Sequence, residues 1–292
     1  MNNAQIEISE KENRSKTILS SIRNLPAVPV IMMEVNRLLD NSMTSARDLG
    51  QIISKDQGLT TKILAIANSP LYGLPRKVST IEFAIVVLGF DQIKNIVIAL
   101  SIIEAFNHKS KDDWQRKKFW IHSVTTASVA RKICNTLGLG KVGGEIFTAG
   151  LLHDLGISVI HLYFIKEFQK IVNLVQTEGY SYLKAETEVL GINHQDICRY
   201  LAHKWNLPDS LVEVISYHHT PSEAENNKEL AAIVHLADFM TQKFSIGDYL
   251  WDETIELDPK TGEILGFAND LLLQDFINSY EELLKEHLEK FI

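Results

Sequence analysis

A chain of 292 residues, 45% hydrophobic and 23% charged, is long enough to bury a proper core in one large domain or two modest ones. Its formal net charge of -8 and pI of about 5.7 set the surface as a whole against nucleic acid phosphates and anionic lipid, so only a local basic patch could hold either. The start MNNAQIEISEKENRSK lacks the apolar stretch of a secretory signal, and the most membrane-like stretch, residues 83–106, is interrupted by Asp91, Gln92, Lys94, Asn95 and Glu104.

Residues 1–15 read as a polar tail, and residues 16–110 as a first helical subdomain. Leu25-Pro-Ala-Val-Pro29 punctuates its start, and Val30, Met33, Val35, Leu38 and Leu39 then recur at helical spacing up to the breaker Asp40-Asn-Ser42. A second helix begins near Thr44 or Ser45 with Leu49, Ile52 and Ile53 facing inward. Asp56-Gln-Gly58 makes a turn, and Leu59, Ile63, Leu64 and Ile66 mark a third helix. The following loop, Asn68-Ser-Pro-Leu-Tyr-Gly-Leu-Pro75, is rich in turn formers and leads into a basic tip, Arg76 and Lys77, a candidate contact for an acidic partner. Thr80 caps a helix through Leu88, and Gly89-Phe-Asp91 separates it from another running to about Phe106, so the apolar stretch is two buried helices and not a span. Residues 44–68 have a loose helix-turn-helix rhythm. Lys55 and Lys62 are too few cations to anchor phosphates, and helix packing explains the pattern better.

Asn107-His-Lys-Ser-Lys-Asp-Asp113 is a charged linker into a second subdomain, residues 111–243. Helices are expected over 114–137, 145–164, once or twice within 181–206, and over 208–218 and 228–243. Phe119 and Trp120 belong to the core. The extension 244–292 contains Asp258-Pro-Lys-Thr-Gly262, a turn that could join two short strands, and then one amphipathic helix over 269–291. Cys134 and Cys198 lie among apolar neighbours and are expected as buried free thiols in a reducing cytoplasm. Short helices with brief turns make the chain all-α.

The histidines carry the chemistry. His122 shares a helix face with Thr126, Val129, Ala130 and Ile133, a face expected to be buried. His153-Asp154 sits inside Gly150-Leu-Leu-His-Asp-Leu-Gly156, with His153 on the face of Ile146, Ala149, Ile157 and Ile160. His218-His219 closes a helix, and Asp238 lies three residues after His235. Imidazole nitrogen and carboxylate oxygen together suit one or two divalent ions, such as Fe, Mn, Ni or Zn, and a carboxylate can bridge two. Packing alone does not explain so many such residues on core helices. His108, His161, His203 and His287 read as solvent-facing or structural, and His235 is open between ligand and support.

The order His122, then His153-Asp154, then Asp238 resembles the HD superfamily of metal-dependent phosphohydrolases. The pair His218-His219, with His194 before it, resembles the fuller ligand set of the HD-GYP branch. From about Leu25 to Asp238 the chain resembles more specifically the HDOD family, an HD-related output domain of bacterial signalling. The matching segments include Leu25-Pro-Ala-Val-Pro29, Ile53-Ser-Lys-Asp56, Leu64-Ala-Ile-Ala-Asn-Ser69, Tyr72-Gly-Leu-Pro-Arg76, Ala84-Ile-Val-Val-Leu-Gly89, Phe119-Trp-Ile-His-Ser123, Trp205-Asn-Leu-Pro208 and Tyr217-His-His219.

The resemblance implies an N-terminal helical bundle packed on an HD-type bundle. It also implies a metal ligand set of His122, His153, Asp154, His194, His218, His219 and Asp238. It does not imply catalysis, because the family serves as regulatory or scaffolding output. Two departures from active HD-GYP enzymes stand out: Ile157 replaces the lysine expected after His-Asp-x-Gly, and Thr220-Pro-Ser-Glu replaces Gly-Tyr-Pro after His218-His219. A non-catalytic signalling module meeting another signalling protein is the first reading. The alternative is a metal-dependent phosphohydrolase acting on a nucleotide or cyclic dinucleotide, with Asp154 bridging two ions.

Overall fold

The computed structural model describes residues 10–11, 13–17, 19–20, 30–39, 41, 43–107, 113–246, 251 and 256–289. Leu25-Pro-Ala-Val-Pro29 and His108 lie outside them. All regular structure among the described residues is helical. The first subdomain contains α1 (Val30–Leu39), α2 (Ala46–Ile53), α3 (Gln57–Ala67), α4 (Ile81–Leu88) and α5 (Phe90–Asn107). Its boundaries follow side-chain chemistry. Ser45 and Asp48 form a reciprocal capping box at α2, while Asp56 and Thr80 accept from the backbone N–H groups of Leu59 and Phe83. Gly89, at φ 90°, allows the 118° bend that makes residues 81–104 two helices. Lys62, the one cation on α3, is paired with Glu104 at 2.5 Å and lies over the Trp120 ring.

The second subdomain is built on α6 (Asp113–Thr136), against which pack α7 (Gly143–Leu152) and α13 (Lys228–Lys243). α8 (Leu155–Tyr163), α9 (Ile165–Glu178), α10 (Tyr182–Leu190), α11 (His194–Lys204) and α12 (Asp209–Ser216) complete it. α5 packs on α7, so the two subdomains share one hydrophobic core. The stretch Gly140–Tyr163 is apolar enough to cross a membrane, but 78% of its apolar 18-residue window is buried inside the protein as core.

Several expectations need correction. The helix expected over 145–164 is two, because Asp154, at φ -98° and ψ 9°, leaves the helical path between α7 and α8. His153 and Asp154 therefore occupy a turn, and the face they were to share with Ile157 and Ile160 is interrupted. The expected elements omit α9, although Phe168, Ile171, Val172 and Val175 recur along it at helical spacing.

No strands flank residues 258–262 among the described residues. The Asp258 carboxylate accepts the Lys260 N–H and its carbonyl accepts the Thr261 N–H, turning the chain into the short helix α14 (Thr261–Ile264). The single helix over 269–291 is instead α15 (Asp270–Asn278) and α16 (Glu281–Glu289), divided where Ser279 caps the first and Tyr280 is buried.

The polar tail is also shorter than residue 15. Described residues 10, 11 and 13–15 are helical, and Ser15 is buried with its hydroxyl on the Leu190 carbonyl. Of the histidines read as solvent-facing or structural, His287 is structural: it is buried, and its Nδ1 lies 2.6 Å from the Ser69 hydroxyl and docks α16 on the first subdomain. His161 is half-buried against Phe168, and His203 is exposed. Both cysteines are free and buried, and Phe119 is in the core.

Candidate metal centre

All seven residues singled out as ligands come together. His122 comes from α6, His153 and Asp154 from the α7–α8 turn, and His194 is the first residue of α11. His218 and His219 follow α12, and Asp238 lies on α13. Six are 0–1% exposed and His219 is 8% exposed. Arg76 and Lys77 take no part; they are exposed on the loop before α4.

The donor atoms fall into two groups, His122–His153–Asp238 and His194–His218–His219, with Asp154 between them. Asp154 Oδ2 lies 3.2 Å from His122 Nε2 and 3.3 Å from His153 Nε2. Asp238 Oδ1 lies 3.2 Å from His122 Nε2 and 3.6 Å from His153 Nε2. On the other side, Asp154 Oδ1 is 3.6 Å from both His194 Nε2 and His218 Nε2, and His219 Nε2 is 3.0 Å from His194 Nε2. Ligands at about 2.1 Å from one tetrahedral ion stand about 3.4 Å apart, so these separations fit two ions sharing Asp154.

Hydrogen bonding on the outer side supports the fit. His153 Nδ1 lies 2.7 Å from the Gly150 carbonyl and His218 Nδ1 lies 2.6 Å from the Ile215 carbonyl. Carbonyl oxygen only accepts, so both Nδ1 atoms carry hydrogen and the neutral rings turn Nε2 lone pairs inward. His194 Nδ1 meets the Glu186 carboxylate at 2.8 Å with the same result. All four oxygens of Asp154 and Asp238 are buried without a hydrogen-bond donor. The short His–Asp distances are therefore ion pairs only if an imidazole gains a second proton. Lone pairs facing carboxylates, with no Lys or Arg buried among the described residues, call for cations.

Without metal the cations are protons, and the two groups differ. Burial opposes charge on His122 and His153, but Asp154 and Asp238 outweigh it and hold both above the ordinary histidine range. The same contacts overcome the desolvation of Asp154 and Asp238 and hold both carboxyls low. His218 and His219 are pushed down to about 3, first by burial and then by neighbouring imidazoles, so they are neutral. Metal must therefore displace protons from His122 and His153 but not from His218 or His219. Its affinity should rise with pH, and uptake at pH 7 should release up to about two protons per chain. Calorimetry in buffers of different ionisation enthalpy measures this; proton-neutral uptake would contradict it.

The support around the ligands was less legible. A Cβ on Gly156 would lie 2.2 Å from the His194 carbonyl oxygen, so only glycine lets α8 approach the start of α11. A Cβ on Gly150 would likewise meet the Ala127 backbone at 2.6 Å, which brings α7 close to α6. Cys198 Sγ accepts the Gly156 N–H at 3.0 Å and donates to the His153 carbonyl at 3.2 Å, pinning the turn. Glu186 was missed altogether. It is fully buried, and it lies on the same face of α10 as buried Tyr182 and Leu190, so a carboxylate inside an apolar stripe was the available signal. His235 proves to be support: its Nδ1 donates to the His218 carbonyl and its Nε2 accepts the Asp258 N–H.

The comparisons agree with this architecture. Residues 25–221 match the family model of the HDOD domain. An uncharacterized protein of Treponema pallidum (strain Nichols) is 25% identical over 250 residues, 85% of this chain and 48% of that protein, so the chain spans about half the length of this relative. Among solved structures, an HDOD domain protein of unknown function from Geobacter sulfurreducens is similar with a TM-score of 0.73 at 24% identity, covering 98% of this chain and 99% of that one. A protein of Shewanella amazonensis SB2B, provisionally named a phosphohydrolase, gives a TM-score of 0.70 at 24% identity over 94% and 98% of the two chains. At these identities the solved structures speak for the fold, while the family model covers most of the sequence. The chain belongs to the HDOD domain family.

Proposed function

We propose that this chain is a cytoplasmic signalling output module whose HD-type centre holds two divalent ions without hydrolysing phosphate esters. The observation that carries this reading is closure. Asp154, His194, His218 and His219 form one donor group and His122, His153 and Asp238 the other, Asp154 Oδ2 also lies beside His122 and His153, and the ligands are buried, with His219 the most exposed at 8%. Structural zinc sites with four protein donors are closed in this way, whereas catalytic zinc keeps a position open. Among the described residues there is also no buried Lys or Arg for a developing phosphate charge. Where a lysine would help, Ile157 is itself a buried apolar side chain.

In this reading His122, His153, Asp154 and Asp238 hold the first ion, and Asp154, His194, His218 and His219 the second. Bound ions supply the positive charge that the two carboxylates need. The side chains then tie α6, the α7–α8 turn, α11, α13 and the end of α12 into one rigid unit. The first subdomain presents the partner surface, with exposed Arg76 and Lys77 facing an acidic signalling protein. The pairing of Lys62 with Glu104 supports a protein over DNA as that partner.

One observation favours the alternative, hydrolysis of a nucleotide or cyclic dinucleotide: Asp154 lies between two ligand groups, as in two-ion centres that act on phosphates through Lewis acidity. Metal analysis of the purified protein, followed by assay of bis(p-nitrophenyl) phosphate with added manganese or iron, separates the readings. Retained metal with no turnover above buffer is expected. Metal-dependent turnover that disappears in Asp154→Ala would overturn the proposal in favour of the hydrolase.

A further inference from the structure

Support of the two ion positions is unequal. The first group is braced within the second subdomain, by the Gly150 carbonyl on His153 and by Thr241 beside His122. The second, besides the Ile215 carbonyl on His218, is braced by residues after α13, Trp251 and Asp258. Trp251 Nε1 donates to Glu186 Oε1 at 2.8 Å. Glu186 Oε2 in turn accepts the His194 backbone N–H at 2.7 Å and meets His194 Nδ1 at 2.8 Å. The indole is stacked on Phe168 of α9 at 4.9 Å and on Tyr182 of α10 at 4.2 Å, and it is buried. From a second direction, the Asp258 N–H donates to His235 Nε2 at 2.9 Å, and His235 Nδ1–H donates to the His218 carbonyl at 2.8 Å. The Asp258 carboxylate is itself held by the Ser222 hydroxyl at 2.7 Å.

We infer that Trp251 is a positioning residue for the second ion, acting through Glu186 on His194, and that residues 251 and 258 are linked to the occupancy of that ion alone. This rests on the two-ion reading above. A buried carboxylate that orients a ligating histidine needs its own orientation fixed. The indole N–H supplies that constraint, and the aromatic stack fixes the indole. Without it the Glu186 carboxylate can rotate, and the His194 ring loses its aim. Linkage is reciprocal, so an ion that holds His194 in place also holds Glu186 and Trp251. Trp251 and Asp258 thereby register whether the second position is filled.

The test uses the full chain and Zn²⁺, titrated against a competing chelator. Trp251→Phe keeps an aromatic ring for the stack and removes the N–H. It should weaken the second ion by about 10- to 100-fold, the range for lost outer-shell partners, and leave the first unchanged. Glu186→Gln should weaken the same ion, and the double variant should lose less than the two single losses combined, because both act through one contact. In the wild type, Zn²⁺ should slow amide exchange at Trp251 and Asp258, and this measurement decides the matter alone if Trp251→Phe does not fold. Unchanged affinity for both ions, equal weakening of both, or exchange indifferent to Zn²⁺ would each overturn the inference and leave the two-ion centre standing. A wild-type chain that binds no Zn²⁺, Mn²⁺ or Fe²⁺ would overturn the centre itself.

Discussion

Asp154→Ala should empty both ion positions together. Asp154 is the one ligand common to the two groups, each of its oxygens facing a different set of imidazoles. Outer-shell losses cost about 10- to 100-fold in affinity, and a shared inner ligand should exceed the upper end of that range for both ions. A second effect appears without metal. In the ion-free chain the ionised carboxylate offsets protons on His122 and His153, all at 0–1% exposure. Removing it leaves buried positive charge with only Asp238 opposite, and breaking such a buried pair costs about 3–5 kcal/mol. Metal content by mass spectrometry and urea melts with and without chelator measure the two effects separately. Two ions retained at wild-type affinity would mean that Asp154 does not bridge.

Gly156→Ala should be the most damaging single-methyl change near the centre. Its Cβ would lie 2.2 Å from the His194 carbonyl oxygen and 2.9 Å from the His194 Cα, both backbone atoms that no rotamer change can move. Relief requires α8 to separate from α11, which also strains the Gly156 N–H bond to Cys198. Overpacking of this kind costs about 3 kcal/mol, lowering Tm by roughly 6–10 °C in a chain this size. The displaced backbone belongs to a ligand of the second ion, so affinity there should fall along with stability. Gly58→Ala is the contrast. On the exposed side of α3 the added Cβ meets its nearest neighbour at an ordinary 3.4 Å, and helix propensity should make the change neutral or stabilising by up to about 1 kcal/mol. If the two variants melt alike, close approach is not why glycine stands at 156.

Residue type and spacing made the ligand set legible. Every member is a His or Asp, types that need a reason to sit among apolar neighbours, and each stood at a helix end or on an apolar face. The break between α7 and α8 was not legible. Leu151, Leu152, Leu155 and Ile157 continue an apolar run through it, and the chain leaves the helix at Asp154, which lies between imidazoles from α6, α11 and the end of α12. Around residue 258 no strands form among the described residues. The turn signal was sound, but the Asp258 N–H is committed to His235, a partner 23 residues away.

The sequence by itself determined the all-helical class through helical periodicity, a local property, while the resemblance of its segments to the HDOD family supplied the family and all seven candidate ligands. Only the tertiary structure decided how those ligands divide, that Asp154 lies between both groups, and that Glu186, Trp251, His235 and Asp258 hold the second group from outside. The Glu186–His194 pair spans 8 residues, but Trp251 reaches Glu186 across 65 and Asp154 meets His218 across helices far apart in the chain. Such contacts leave no periodic trace. A buried charge is stabilised by whatever the fold brings to it, and that is set by packing, not by neighbours in sequence.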